Sequence, residues 1–310
     1  MDRTRFRVRR TLRLALGRLG TGRVRAVVCA AAVAAVAAGL GVAAGIGAAQ
    51  SSTSASAASA PASPVFLPSA PVHPGTRRIP ILMYHVIQAP DASVAFPGLW
   101  VPPSEFAGQM HALQRAGFRA ISLDQAWAYW RYGAQLPAHP IIVTFDNGYA
   151  SQYSQALPVL RAMGWIAVEN WQLSLHAPQG LSPMQIRGMV AAGWELDTQG
   201  FTHADLPKLG AAGLTYEVAV SRQRIQRNFG VPVNWFCYPS GHYDPRVVLT
   251  VQAAGYRGST TVIFGWGSPA DTYRLARLRV LDGTSPQALV AQVLANAGDP
   301  LPPSAYPPGG

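Results

Sequence analysis

Between residues 77 and 298, short apolar runs of β type alternate with segments of helix length. The runs read IPILMY at 79–84, IIVTF at 141–145, WIAV at 165–168, WELDT at 194–198 and WFCY at 235–238. Between them, apolar residues recur at helical spacing. In 104–117, Phe106, Met110, Leu113 and Ala116 fall near one face, with Ser104 placed to cap the start and Gly117 to stop the end. Similar helices are predicted at 150–163, 183–192, 211–229, 244–254 and 285–296. This alternation predicts an α/β fold, a parallel sheet covered by helices. Closed as a barrel, such a sheet gathers its chemistry on the loops that follow the strands.

The chain ahead of this region is different. Residues 1–25 hold nine Arg and one Asp, so most of the formal net charge of +11 belongs to a basic leader. That distribution argues against nucleic acid as a partner, since the rest of the chain carries 16 basic against 13 acidic residues. Residues 26–49 then run without a charge, long enough to span a bilayer with the basic flank on the cytoplasmic side. Both a transmembrane anchor and a cleaved signal segment fit, because small residues follow at 47–49 and 56–58. Residues 50–76 are rich in Ser, Ala and Pro and read as a linker; 299–310 reads as a disordered Pro-rich tail. The expected location is therefore extracytoplasmic, membrane-anchored or secreted, at the cell envelope. Of two cysteines, Cys29 lies in the apolar segment and Cys237 in the folded region, so no disulfide within the domain is expected.

Three polar clusters stand directly after predicted strands. They are Thr144-Phe145-Asp146-Asn147-Gly148-Tyr149, Thr198-Gln199-Gly200-Phe201-Thr202-His203 and Tyr238-Pro239-Ser240-Gly241-His242. Taken singly, the first is as much a turn as a site, since Asp, Asn and Gly all form turns. In the second, Gln199 and His203 are four apart, a spacing at which two side chains can grip a metal, although Gln is a poor zinc ligand. The third offers a tight Pro-Gly turn whose exposed amides can support an oxyanion.

Together, in order and spacing, these clusters resemble the polysaccharide deacetylase family, the NodB-homology domain of carbohydrate esterases. The resemblance runs from Ile79 to about Val280, and Ile79 to His85 resembles the exported members that act on poly-N-acetylglucosamine. It implies a distorted (β/α) barrel over 77–298 and a hydrolase that removes N-acetyl groups from an envelope or extracellular amino-sugar polymer such as peptidoglycan. It also implies roles for single residues. Asp146 stands at the general base. Asn147, Gln199 and His203 stand at the three metal positions, where the family has Asp and two His. His85 matches the general acid, acting in its cationic form, Ser240 supplies the oxyanion amide, and Arg277 substitutes for the Arg that orients the base, whose usual place Cys237 holds.

Two neutral amides among three ligands predict that a divalent, zinc-like metal is weakly bound or absent and that any metal dependence is weak. Asp197, two residues before Gln199, either supplies a replacement carboxylate or points into the barrel wall. Tyr238, Tyr243, Trp235, Trp171 and Trp266 are candidates for stacking on sugar. Asp146→Asn is expected to remove activity and leave the fold intact. The competing expectation is a catalytically inactive relative that binds glycan in the same cleft.

Overall fold

A computed structural model describes residues 73–296 and 302–307. The basic leader, the apolar segment 26–49 and the linker up to residue 72 lie outside the described residues. Among those described, no helix is long and apolar enough to cross a membrane.

In chain order the elements are β1 (Ile81–Tyr84), α1 (Pro103–Arg115), β2 (Arg119–Ala120), α2 (Leu123–Tyr132), β3 (Pro140–Asn147), α3 (Leu157–Ala162), β4 (Val168–Trp171) and α4 (Pro183–Ala191). They continue with β5 (Glu195–Thr198), α5 (Ala211–Thr215), α6 (Ser221–Phe229), β6 (Trp235–Cys237), α7 (Pro245–Ala253), β7 (Gly258–Phe264), β8 (Leu275–Arg279) and α8 (Pro286–Ala295). Pairing is parallel throughout these strands, and β1 bonds to both β3 and β8. The series β3-β4-β5-β6-β7-β8 completes the ring, so seven strands close a barrel, while the short β2 adds to the start of β3.

Alternation of side chains along each strand sorts the residues into two layers. Ile81, Ile142, Val168, Trp235 and Leu275 share one cluster with Leu123, Ala126 and Trp130 of α2, which closes the end where the strands begin. Their neighbours Leu82, Val143, Phe236 and Leu278 belong to the other cluster, beneath the helices. Every residue of β3 is buried, which is why it reads as a continuous apolar run rather than an alternating one. Two residues further along the inward phase, the same strands present Asn170 after Val168, Cys237 after Trp235 and Arg277 after Leu275, and β3 continues from Ile142 through Thr144 to Asp146. The barrel interior is therefore apolar where the strands start and polar where they end.

Several boundaries differ from the sequence reading. The WIAV run begins too early, because the Trp165 amide still closes the helix before it by bonding to Leu160 O at 2.8 Å, and pairing starts at Val168. Helix α1 starts at Pro103 with Pro102 at its cap, so Ser104 lies inside its first turn. Strands β7 and β8 carry Ser, Thr and Arg on buried faces and escape a search for apolar runs. Part of the Pro-rich tail also has a fixed place. Tyr306 and Tyr243 exchange backbone hydrogen bonds of 2.9 and 3.0 Å, and the Tyr243 hydroxyl donates to Pro303 O at 2.7 Å.

Candidate active site

Asp146 lies near the end of β3, facing inward and almost completely buried. An isolated carboxylate there would be prohibitively costly, and four neighbours offset that cost. Arg277 donates to both oxygens, Nη1 to Oδ1 at 2.7 Å and Nη2 to Oδ2 at 2.8 Å. Asn170 Nδ2 donates to Oδ1 at 2.8 Å, and Cys237 Sγ approaches Oδ2 at 3.6 Å. His85 Nε2 faces the same Oδ2 at 3.9 Å. Arg277 is itself fixed by Thr261 O at 2.7 Å and Thr144 Oγ1 at 3.0 Å. Burial pushes the Asp146 carboxyl upward, but the Arg277 charge and hydrogen bonds, with His85 and Asn170, hold it at about 2. Burial likewise pushes the Cys237 thiol up to about 12, so it is an inert neighbour.

His85 follows β1 directly. Gln152 Nε2 donates to both His85 O and Asp146 O at 2.8 Å and so ties the two strand ends together. Burial lowers the imidazole to about 4, outweighing the attraction of Asp146. At rest it is therefore neutral, and the expectation of a cationic acid is corrected: its proton has to arrive during the reaction.

Three loops around this floor use left-handed backbone at non-glycine residues, with φ of 74° at Asn147, 62° at His203 and 54° at Ser240. Such conformations are uncommon and collect at functional sites. The turn after β6 also needs Gly241: at φ 76° any Cβ would lie 2.3 Å from Val262. The loop after β5 is held by Glu217, whose Oε2 accepts the amides of Phe201 and Thr202 at 2.7 and 2.9 Å.

A cavity of about 700 Å³ opens above Asp146; His85, Asn147, Gln199, His203 and Ser240 line it, with Phe96, Tyr149 and Arg279 on its walls. The three positions matched to the family's metal ligands do come together here, but their chemistry does not fit zinc. Gln199 Oε1 already accepts the Asn147 backbone amide at 2.8 Å, and Asn147 Nδ2 donates to Gln172 Oε1 at 3.3 Å. His203 is the one imidazole of the trio, and among the described residues no group of three or more His, Cys, Asp or Glu could hold a metal ion. Asp197 does not repair the set. Its Oδ1 accepts the amides of Asn234 and Trp235 at 2.9 and 2.8 Å, in the barrel wall.

The proposed sugar-stacking aromatics lie elsewhere, and none lines the cavity. Trp235 faces inward at the apolar end, its Nε1 bonded to Asp124 at 3.0 Å. Tyr238 and Tyr243 stack on each other at 4.9 Å and are fully buried. Trp171 packs beneath Gly148 and against Phe229, and Trp266 donates to Val293 O at 3.0 Å. Conversely, Asn170, Gln152, Glu217, Phe96 and Arg279 were not singled out by the sequence. Of these, Asn170 alone had a readable signal, its register opposite Asp146, once β4 is placed correctly.

Residues 133–259 match the family model for polysaccharide deacetylase. The matched segment is similar to a polysaccharide deacetylase domain. Over 218 residues, 70% of this chain and 76% of the relative, it is 27% identical to the polysaccharide deacetylase-family protein YxkH of Bacillus subtilis (strain 168). It is 31% identical to the poly-β-1,6-N-acetyl-D-glucosamine N-deacetylase of Escherichia coli (strain K12) over 87 residues, which are 28% of this chain and 13% of that protein. The deacetylase fold is matched by the structure of Streptococcus pyogenes deacetylase PplD in complex with acetate, with a TM-score of 0.66 at 23% identity, covering 71% of this chain and 99% of that one.

Proposed function

We propose that this deacetylase domain hydrolyses N-acetyl groups on an amino-sugar polymer of the cell envelope, at a site that does not depend on tightly held zinc. The observation that carries the reading is the pair of Asp146 and His85, 3.9 Å apart on the floor of an open cavity, with Arg277 fixing the carboxylate. That span is too long for a direct hydrogen bond and lets both side chains act on one water between them. Water attacks the acetyl carbonyl and gives its proton to the pair, and the collapsing intermediate takes a proton from His85 at the leaving nitrogen, releasing acetate and a free amine. The Ser240 amide and the Gln199 NH₂ group, whose oxygen is anchored on Asn147, are the neutral donors available to the oxyanion. Enzymes of this family ordinarily draw electrophilic help from a divalent metal; here the donor set argues for doing without it.

The engagement of the Gln199 oxygen by the Asn147 backbone amide, which takes it from any metal, favours a second reading, a glycan-binding relative without turnover. Acetate release from N-acetylglucosamine oligomers and peptidoglycan, measured beside metal content, separates the two. Release by metal-free protein supports the hydrolase, while glycan binding without release supports the second reading. The basic leader and apolar run support an extracytoplasmic location for residues from 77 onward. An alkaline phosphatase fusion after Gly75 should accordingly be active, and an inactive one overturns that placement.

A further inference from the structure

Two residues on the cavity rim do little for the fold. Phe96 is 76% exposed and lines the cavity beside Asp146. It sits at φ 56° and ψ 58°, a left-handed conformation that bulky residues seldom adopt. A phenyl ring held in water on uncommon backbone contributes nothing to the core, and such features gather where ligands bind. Arg279, the last residue of β8, is exposed and lines the same cavity. Its carbonyl accepts from Gln292 Nε2 at 3.3 Å, while its guanidinium has no hydrogen bond or ion pair among the described residues.

Among the described residues that line the cavity, Arg279 carries the charge left without a partner. Asp146 is the cavity's carboxylate and is already matched by Arg277. Asn147 and Gln199 are neutral where two charged or metal-binding groups would otherwise stand. The rim is also built as a unit. The Asp282 amide donates to Gly98 O at 2.9 Å, and the Val86 amide to Leu99 O at 3.2 Å, so the loop carrying Phe96 is fastened to both the end of β1 and the segment after β8.

We infer that Phe96 and Arg279 form a sugar-recognition rim that selects an N-acetylated amino sugar bearing a carboxylate, with Phe96 against the pyranose face and Arg279 paired to the carboxylate. The inference rests on the cavity being the acetyl-sugar site and names the substrate class within it. Arg suits this role because its planar fork meets a carboxylate with two parallel bonds. An exposed pair gains only modestly over water, so the selectivity is one of a few-fold.

The test uses the full chain and glycan strands of alternating N-acetylglucosamine and N-acetylmuramic acid, once with free lactyl carboxylates and once as methyl esters. Calorimetric binding and acetate release are both measured. The wild-type protein should bind the carboxylate form roughly fivefold tighter at low salt, with the gap shrinking as salt is raised. Arg279→Gln should erase the gap, and Phe96→Ala should weaken both forms by a similar factor of roughly five. Equal affinity of the wild type for the two forms, or a gap that survives Arg279→Gln, overturns the inference. A binding gap without acetate release from either form would sink the hydrolase reading and leave the rim standing. Release without a gap would do the reverse, and no binding at all would sink both.

Discussion

Asp146 and Arg277 meet through two parallel hydrogen bonds of 2.7 and 2.8 Å inside the barrel, both side chains almost wholly shut off from water. This corrects the expectation that Asp146→Asn leaves the fold intact. Removing one partner leaves a buried guanidinium uncompensated, which typically costs about 3–5 kcal/mol. Asp146→Asn should therefore abolish acetate release and also lower the urea midpoint. The double variant Asp146→Asn with Arg277→Met should regain part of the stability and none of the activity. A single variant as stable as the wild type would show that the pair does not hold this part of the barrel.

The amide bonds around Asn147 and Gln199 predict weak metal binding. Purified domain should retain little zinc after dialysis, as measured by elemental analysis. Asn147→Asp combined with Gln199→His restores three protein ligands with His203, and affinity should rise by orders of magnitude only when both changes are present. Stoichiometric zinc in the dialysed wild type would mean that the loops rearrange to ligands other than these.

The contribution of Glu195 and Asp197 to stability should fall as pH rises from mildly acidic to neutral, against an opposite contribution from His85, whose lowered pKa favours the folded state as pH rises. Burial, with Asp124 nearby, raises Glu195 from 4.5 to about 7, and burial, with Glu195 beside it, raises Asp197 well above its usual range. Each folded-state pKa exceeds the unfolded one, so the folded state holds the extra proton. The stabilisation is complete below about pH 4.5 and is lost as pH climbs through about 7, by up to about 3 kcal/mol. In urea titrations run across the range, Glu195→Gln should tilt the stability slope upward relative to the wild type, because the falling Glu195 contribution is removed and the rising His85 contribution remains; buried Glu169, raised in the same direction as Glu195, limits the change. An unchanged slope in the variant would assign it to other groups.

The tail contact has a measurable consequence. Truncation after Gly298 removes the backbone bonds to Tyr243 and the acceptor of its hydroxyl, three residues beyond Ser240. Each lost hydrogen bond is worth about 1 kcal/mol. The truncated chain should show a lower urea midpoint and slower acetate release, since the turn carrying Ser240 loses its support. Identical midpoints would make the contact incidental.

Much of the fold and part of the site are legible in the chain itself. The strand and helix alternation, the three clusters after strand ends and the family they resemble all depend on local periodicity and spacing, which the chain displays directly. The same clusters, with the first strand, point to Asp146, His85, Ser240 and His203, and the cavity gathers all four. The losses follow a physical pattern. Strands β7 and β8 escape notice because a strand that lines a polar barrel end need not be apolar. The aromatics are misplaced because a Trp or Tyr carries no mark of which face it occupies until strand phase and helix cover are known.

By itself, then, the sequence determined the architecture and the identity of the groups that follow each strand, because hydrophobic period and turn chemistry are properties of neighbouring residues. Tertiary structure alone decided how those groups behave. It brought Arg277 onto Asp146 across 131 positions, turned Gln199 toward the amide of Asn147, and buried His85 deeply enough to make it neutral. Charge, solvation and hydrogen bonding depend on distance in space, and no spacing along the chain encodes which distant groups will share a barrel.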